Sequence, residues 1–454
     1  MRFNKVTISR LLVGSLFIIS GLIKANDPLG FSYKLEEYFA FDVLNWTLFQ
    51  GTEVWMAAFI SVGEIVLGAA LIAGEKIKLS AWLLLIMMVF FTFLTGYTAI
   101  GNWFFEHFER DFTHSMEGVF GFTAREIHYF KDCGCFGDAI PFTPWDSFVK
   151  DLILFVFTII IFKGRNKVKP NSNSKDIWYY SIALVLISAF ALLVTHWVFP
   201  VVFIIVLFAG MLGVKKMKEA QAGWLMGLFA FVFTVLLPIY TLRYIPVKDF
   251  RPFAVGENIL KNMELQVGEE PPLYTVDYTM KSKTSGEESI VSAIDYMEKE
   301  IWKDQDLEII NTGEQYLFKD GVVPPIHDFV LESVTTEEDY TYSILDEEVV
   351  FLWISYDLDH ANLEAQEAVK SLTDEVNAAH LPIYALSASS FEDTENFKQT
   401  HQLNLEFLTC DATTLKTIIR SNPGLIVLKK GTVIGKYPFR KLSSLKEISK
   451  ELNL

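Results

Sequence analysis

Seven stretches of this chain stay apolar for about 20 residues, the length a helix needs to cross a bilayer at 1.5 Å per residue. They run at about 8–25, 54–74, 79–100, 147–163, 177–197, 199–214 and 224–245. A soluble domain would show apolar faces with helical or strand periodicity instead of unbroken runs. The sixth stretch is short but bracketed by Pro200 and Gly213, and it pairs with the fifth through Val198-Phe199-Pro200. The expected architecture is an α-helical polytopic membrane domain of about seven transmembrane helices, followed by a separate non-membrane part. The lipid bilayer is therefore the first partner.

The formal charge of −16 is uneven. Residues 247–454 hold 37 Asp and Glu against 19 Lys and Arg, whereas the rest holds 18 against 20. An acidic outer part argues against nucleic acid or anionic lipid as its partner. The basic residues of the membrane half fall in four clusters: Arg2, Lys5 and Arg10; Lys76 and Lys78; Lys163 to Lys175; and Lys215, Lys216 and Lys218. With seven spans all four lie on one side, which the positive-inside rule makes the cytoplasm. The N-terminus is then cytoplasmic and residues 247–454 are on the outer side. No small-x-small cleavage site follows the first span, so it reads as a retained helix.

Two of the three cysteines, Cys133 and Cys135, flank Gly134 in the connection before span four. A disulfide needs Cα atoms about 4.4–6.8 Å apart. Residues i and i+2 reach this only in a sharp turn, which Gly134 permits. So small a ring favours an exchanging pair, and an outer location permits oxidation. A static clip and half of a metal site are the alternatives. His107, His114 and His128 share the connection but lack zinc-site spacing to the cysteines.

Glu64, near the middle of span two, is costly at that depth and implies a function or a partner. Arg10 is the expected partner, and a neutral, packing role is the alternative. Gly63, Gly68 and Gly74 are expected to permit close helix contact. Trp103, Phe104, Phe105, Trp145 and Trp178 read as interfacial belts. His196, beside Trp197, reads as an interfacial histidine rather than a haem or quinone contact.

The opening from Arg10 through Gly14, Gly21 and Lys24 to Asp27-Pro28 resembles the first helix of DoxX-type membrane proteins. The run Cys133-Gly134-Cys135-Phe136-Gly137-Asp138 resembles the MauE branch, linked to methylamine utilisation. The resemblance spans about residues 1–164 and implies a four-helix membrane bundle of the bacterial inner membrane. It also implies electron transfer or disulfide-dependent maturation of periplasmic proteins, with Cys133 and Cys135 as redox residues. Electrons would pass to a quinone or to another membrane protein.

Residues 165–246 supply three further spans. Residues 247–321 contain short alternating strands such as Tyr274 to Met280, with turns at Ser285-Gly286 and Asn311 to Gly313. From 322 the pattern becomes βα: a strand at 349–354, an amphipathic helix at 361–379, a strand at 381–386, a helix near 391–401 and a strand near 405–408. A strand pair around Lys430-Gly431 and a helix at 443–452 complete it. This order resembles an α/β thioredoxin-like domain of the TlpA type, and the resemblance implies a cis bond at Asn422-Pro423. Where that family carries Cys-x-x-Cys, this chain reads Tyr356-Asp357-Leu358-Asp359-His360. Cys410 reads as a buried small hydrophobe. The domain is therefore expected to lack thioredoxin-type activity and to bind a periplasmic or envelope protein beside the cis-proline. Two functions stay open: redox exchange at Cys133 and Cys135, or a non-enzymatic membrane scaffold presenting residues 322–454.

Overall fold

The computed structural model describes the whole chain except residues 1–3, 41–42, 108–135, 218–221, 314, 320 and 337. Cys133 and Cys135 lie outside the described residues, as do His114 and His128. In the membrane half α1 (Lys5–Asn26) is followed by α2 (Pro28–Phe39), α3 (Glu53–Ala73), α4 (Ile77–His107), α5 (Pro144–Gly164), α6 (Asn173–Leu193), α7 (Phe199–Met217) and α8 (Ala222–Arg243). Six of these, all but α2 and α5, are long and apolar enough to cross a membrane. The fourth expected span, α5, is 21 residues long but carries Asp146, Lys150, Asp151 and Lys163. It still runs the length of the bundle, with Phe148 against Gly96 near its start and Gly164 against Val6 at the far end.

α1 is the hub: it packs on α3, α5, α6 and α8. Its contact with α3 is close because small residues face each other. A Cβ added at Gly68 would stand 2.5 Å from the Gly14 carbonyl, and one added at Gly21 would stand 2.7 Å from the Ser61 carbonyl. Gly63 faces open space, whereas Gly74 ends α3 in a left-handed turn (φ 70°) and a Cβ there would stand 2.5 Å from Arg10 of α1; of the three expected contact glycines, Gly68 and Gly74 serve close contact with α1. Large apolar side chains such as Phe59, Ile86, Ile153, Val185, Val202 and Leu236 point outward, as lipid requires. Trp145 and Trp178 are exposed near opposite ends of the bundle, where indole rings suit the membrane interface.

The bundle has two ends. The distal end gathers the start of α1, the α3–α4 and α5–α6 connections and the end of α7. Here Arg10 caps α3: its Nε donates to the Leu71 carbonyl at 2.8 Å and its Nη2 to the Ile72 carbonyl at 3.2 Å. Asn171 donates to the Ile72 carbonyl and to Asp176, and Lys215 Nζ lies 2.5 Å from Asp176 and 3.4 Å from Glu75. At the proximal end the link out of the membrane is stitched down. Asn26 and the Lys248 backbone exchange two hydrogen bonds, and Lys248 Nζ donates to the carbonyls of Thr195 and of the exposed His196.

Beyond the bundle, α9 (Ile259–Met263) precedes β1 (Leu273–Thr275), β2 (Asp277–Ser282), β3 (Glu288–Ser292), α10 (Ala293–Glu298), β4 (Leu307–Thr312) and β5 (Tyr316–Lys319). They form a two-stranded β1–β5 ribbon and a three-stranded sheet, β3-β2-β4. Then come β6 (Glu332–Ser333), α11 (Thr341–Leu345), β7 (Val350–Ile354), α12 (Gln366–Ala378), β8 (Ile383–Ser387), α13 (Phe391–His401), β9 (Glu406–Thr409), α14 (Ala412–Ile418), β10 (Gly424–Lys429), β11 (Thr432–Pro438) and α15 (Leu445–Leu452). Their sheet runs β11-β10-β7-β8-β9-β6, with β7, β8 and β9 parallel and β10 antiparallel to β7. Every residue of β7 is buried, as a central strand covered on both faces demands. The Asn422–Pro423 bond is cis. This is a thioredoxin-like α/β domain.

Candidate functional site

The site begins with a local rule. Asp27 accepts the backbone N–H of Gly30 at 2.9 Å and Pro28 occupies the first helical position. An Asx N-cap followed by proline starts a new helix, so the chain leaving α1 turns at once into α2, which lies within the connection between the first two spans. Gly30 lets a partner approach this cap. A Cβ there would stand 2.7 Å from Arg420 Nη2. Arg420 Nε contacts both Asp27 oxygens at 3.0 Å, and its Nη2 lies 3.8 Å from Asp138.

Arg420 belongs to the loop before the cis-proline. Asn422 donates to the Asp357 carbonyl at 2.6 Å and accepts from Ser355 Oγ at 3.0 Å, so the Tyr356–His360 loop and the proline loop sit side by side. Both meet α2. Lys416 and Arg420 stand over the Tyr33 ring, at 4.9 and 5.3 Å from its centroid. Tyr33 shares a side-chain hydrogen bond with Tyr356, and burial raises both phenols above their ordinary range. The face expected to receive an extended peptide therefore rests on a helix of the same chain. Tyr356, just past the end of β7, is a docking residue. Asp357 pairs instead with exposed His360, at 2.8 Å. Cys410 is buried in the domain core, and desolvation pushes its thiol up to about 12, far from a reactive thiolate.

A second clamp holds the same interface. Asp249, in the link after α8, receives Arg251 Nε at 2.6 Å and Lys436 Nζ from β11 at 2.6 Å. Burial acts to raise the Asp249 pKa, but the two cations outweigh it and hold the carboxyl well below its usual range. Burial brings Lys436 down to about 8, against the pull of Asp249.

Between these clamps lies a cavity of about 490 Å³, the size of a small-molecule or side-chain pocket. Its walls come from the end of α1 (Ile23, Lys24), α2, the turn Gly137–Ala139, the link at 246–251 and α14 with Arg420. The turn at 137–139 directly follows the Cys-Gly-Cys-Phe run. Phe136 is buried against Phe142 and Phe190 and anchors that turn to the bundle.

Beneath the cavity floor sits Glu64. Its partner is Lys24, with Nζ 2.5 Å from Oε1 and both side chains nearly fully buried. Lys24 also donates to Ser20 at 2.9 Å and lies over the rings of Phe91 and Phe31, at 4.7 and 5.3 Å. Arg10, the partner expected from sequence, is at the other end capping α3. The antiparallel register of α1 on α3, fixed at Gly14–Gly68 and Gly21–Ser61, puts residue 10 beside the end of α3 and residues 21–24 beside Glu64. Lys24 was visible in the sequence as a cation ending an apolar run; the register that pairs it was not.

Residues 4–103 match the family model of Methylamine utilisation protein MauE. No curated protein matches the chain. Among solved structures the chain is similar to a putative protein disulfide isomerase from Bacteroides thetaiotaomicron, at 10% identity with a TM-score of 0.23, covering 28% of this chain and 82% of that one. It is also similar to the pneumococcal exposed lipoprotein thioredoxin Etrx1 from Streptococcus pneumoniae, at 18% identity with a TM-score of 0.22, covering 28% of this chain and 98% of that one.

Proposed function

We propose that this chain is a multi-pass membrane component of thiol–disulfide exchange, serving the maturation of proteins on the outer side of a bacterial inner membrane. Cys133 and Cys135 are its exchanging pair, and the cavity receives the partner's reacting segment. The observation that carries this reading is the wall formed by Gly137–Ala139: the residues just after the cysteine pair line the cavity of about 490 Å³ between the two halves. The match of residues 4–103 to the MauE model supports a membrane redox context. The thioredoxin-like domain has no thiol at its usual position, and its docked face shapes the cavity instead of cycling. The basic residues at the distal end support placing that end in the cytoplasm, with the cavity outside.

Thiol trapping in intact cells with a membrane-impermeant alkylator tests the reading. A mixed redox state at Cys133 and Cys135, and equal loss of function in Cys133→Ser and Cys135→Ser, are the expected results. A permanently oxidised pair with healthy single mutants would leave the scaffold as the better account.

A further inference from the structure

A second, smaller chamber of about 20 Å³ lies inside the bundle, room for about one water molecule. Its lining comes from α1, α3, α4, α5 and Phe136, and includes two ion pairs. One is Lys24–Glu64. The other is Lys150–Asp151, at 2.9 Å, where Asp151 also accepts from Thr95 of α4 at 3.2 Å. Glu64 Oε2 is buried and has no hydrogen-bond partner among the described residues. A buried carboxylate oxygen without a donor at this depth leaves its hydrogen-bonding capacity unmet.

Lys24 lines this chamber and the outer cavity alike. It is the partition between them. Its ammonium is also held by Ser20 and by the faces of Phe91 and Phe31, so it keeps partners when Glu64 is neutral. Among the described residues, the titratable groups facing Glu64 are Lys24 from α1 and, across the chamber, Lys150 and Asp151 from α5. The other lining elements contribute Met88 and Phe91 of α4 and the ring of Phe136.

We infer that Lys24 and Glu64 form a buried proton-exchange site opening on the outer cavity. In the transfer step a Lys24 N–H bond breaks and a Glu64 O–H bond forms, leaving a neutral amine and a neutral carboxylic acid. The amine then takes a proton from water in the cavity, whose O–H bond breaks and whose hydroxide passes to the solvent. The reverse sequence releases the proton, and no oxidant or reductant is involved. This site does not depend on the thiol reading: it stands on the geometry of α1, α3 and α5.

The test uses the full chain in its native membrane, treated with dicyclohexylcarbodiimide, an apolar reagent that modifies protonated carboxyl groups, and mapped by mass spectrometry. The expected result is an adduct on Glu64 in the wild type, rising several-fold in Lys24→Met. An adduct in Lys24→Met alone would mean a carboxylate locked by its ammonium and would overturn the proposal, as would none in either. Infrared difference spectra of wild type and Glu64→Gln, between acidic and alkaline pH, decide the matter independently of whether Lys24→Met folds. A protonated-carboxyl band present in the wild type and absent from Glu64→Gln supports exchange; identical spectra refute it.

Discussion

The two ends of the bundle both bury charge, but they use it differently. At the distal end Arg10, Asn171 and Lys215 spend their donors largely on backbone carbonyls and on Asp176, a residue with no exposed surface. The loops there are fixed to helix termini. At the proximal end the cations bridge elements that belong to different halves: Arg420 to Asp27, Lys436 to Asp249, Lys441 to Tyr240. These pairs hold two bodies apart as well as together, and a cavity remains between them. Buried ion pairs that close on backbone act as a lock. Pairs between side chains of the two halves instead make a docking interface with a cavity in it.

That contrast can be broken. The largest effect is expected at the lock: Asp176→Ala leaves Lys215 without its nearest anion in a buried setting, a loss of about 3–5 kcal/mol, readable as a lowered unfolding temperature of the whole bundle in detergent. A variant as stable as wild type would remove the distinction. Arg420→Ala is expected to cost less, about 1.5–3 kcal/mol for a charged hydrogen-bonded group. It should act locally, with limited proteolysis in the link at 244–253 accelerating while the bundle unfolds at its usual temperature. Global destabilisation would mean that the two ends are one cooperative unit.

The smallest effect is a pH dependence confined to the docking interface. Asp249 has a folded-state pKa below its unfolded value near 3.8, so its contribution is complete above that value and drains away as pH falls below it. Lys436 shifts stability in the same direction but in an alkaline window. Its folded pKa, about 8, is below the unfolded 10.5, so the unfolded chain binds the extra proton in between and stability rises with pH across that window. Protease sensitivity of the link should follow the acid limb in wild type, and Asp249→Asn should flatten it.

Much of this was legible in the chain. Spans reveal themselves because a bilayer offers backbone groups no water, so each crossing must be a long apolar helix. α5 also reads as an apolar stretch, although its Asp146, Lys150, Asp151 and Lys163 set it apart from the six helices long and apolar enough to cross a membrane. The strand and helix order of residues 322–454 was equally readable, because β7 and β10 are continuous apolar runs and α12 has one clear apolar face. The helices α2 and α14 are not visible as apolar runs. Asp27-Pro28 and Asp411 with Thr414, both N-cap signatures, were the available signals.

What the sequence by itself determined was the inventory: a series of long apolar helices, six of them long and apolar enough to cross a membrane, an acidic thioredoxin-like domain, and a glutamate within an apolar span. Tertiary structure decided who meets whom. Glu64 pairs with Lys24 and not Arg10 because small residues set the antiparallel register of α1 on α3. The cis-proline face meets Tyr33 because Gly30 leaves room for Arg420 at the cap of α2. Hydropathy and periodicity are properties of neighbours along the chain, whereas a register or a docking face depends on contacts between residues tens or hundreds of positions apart.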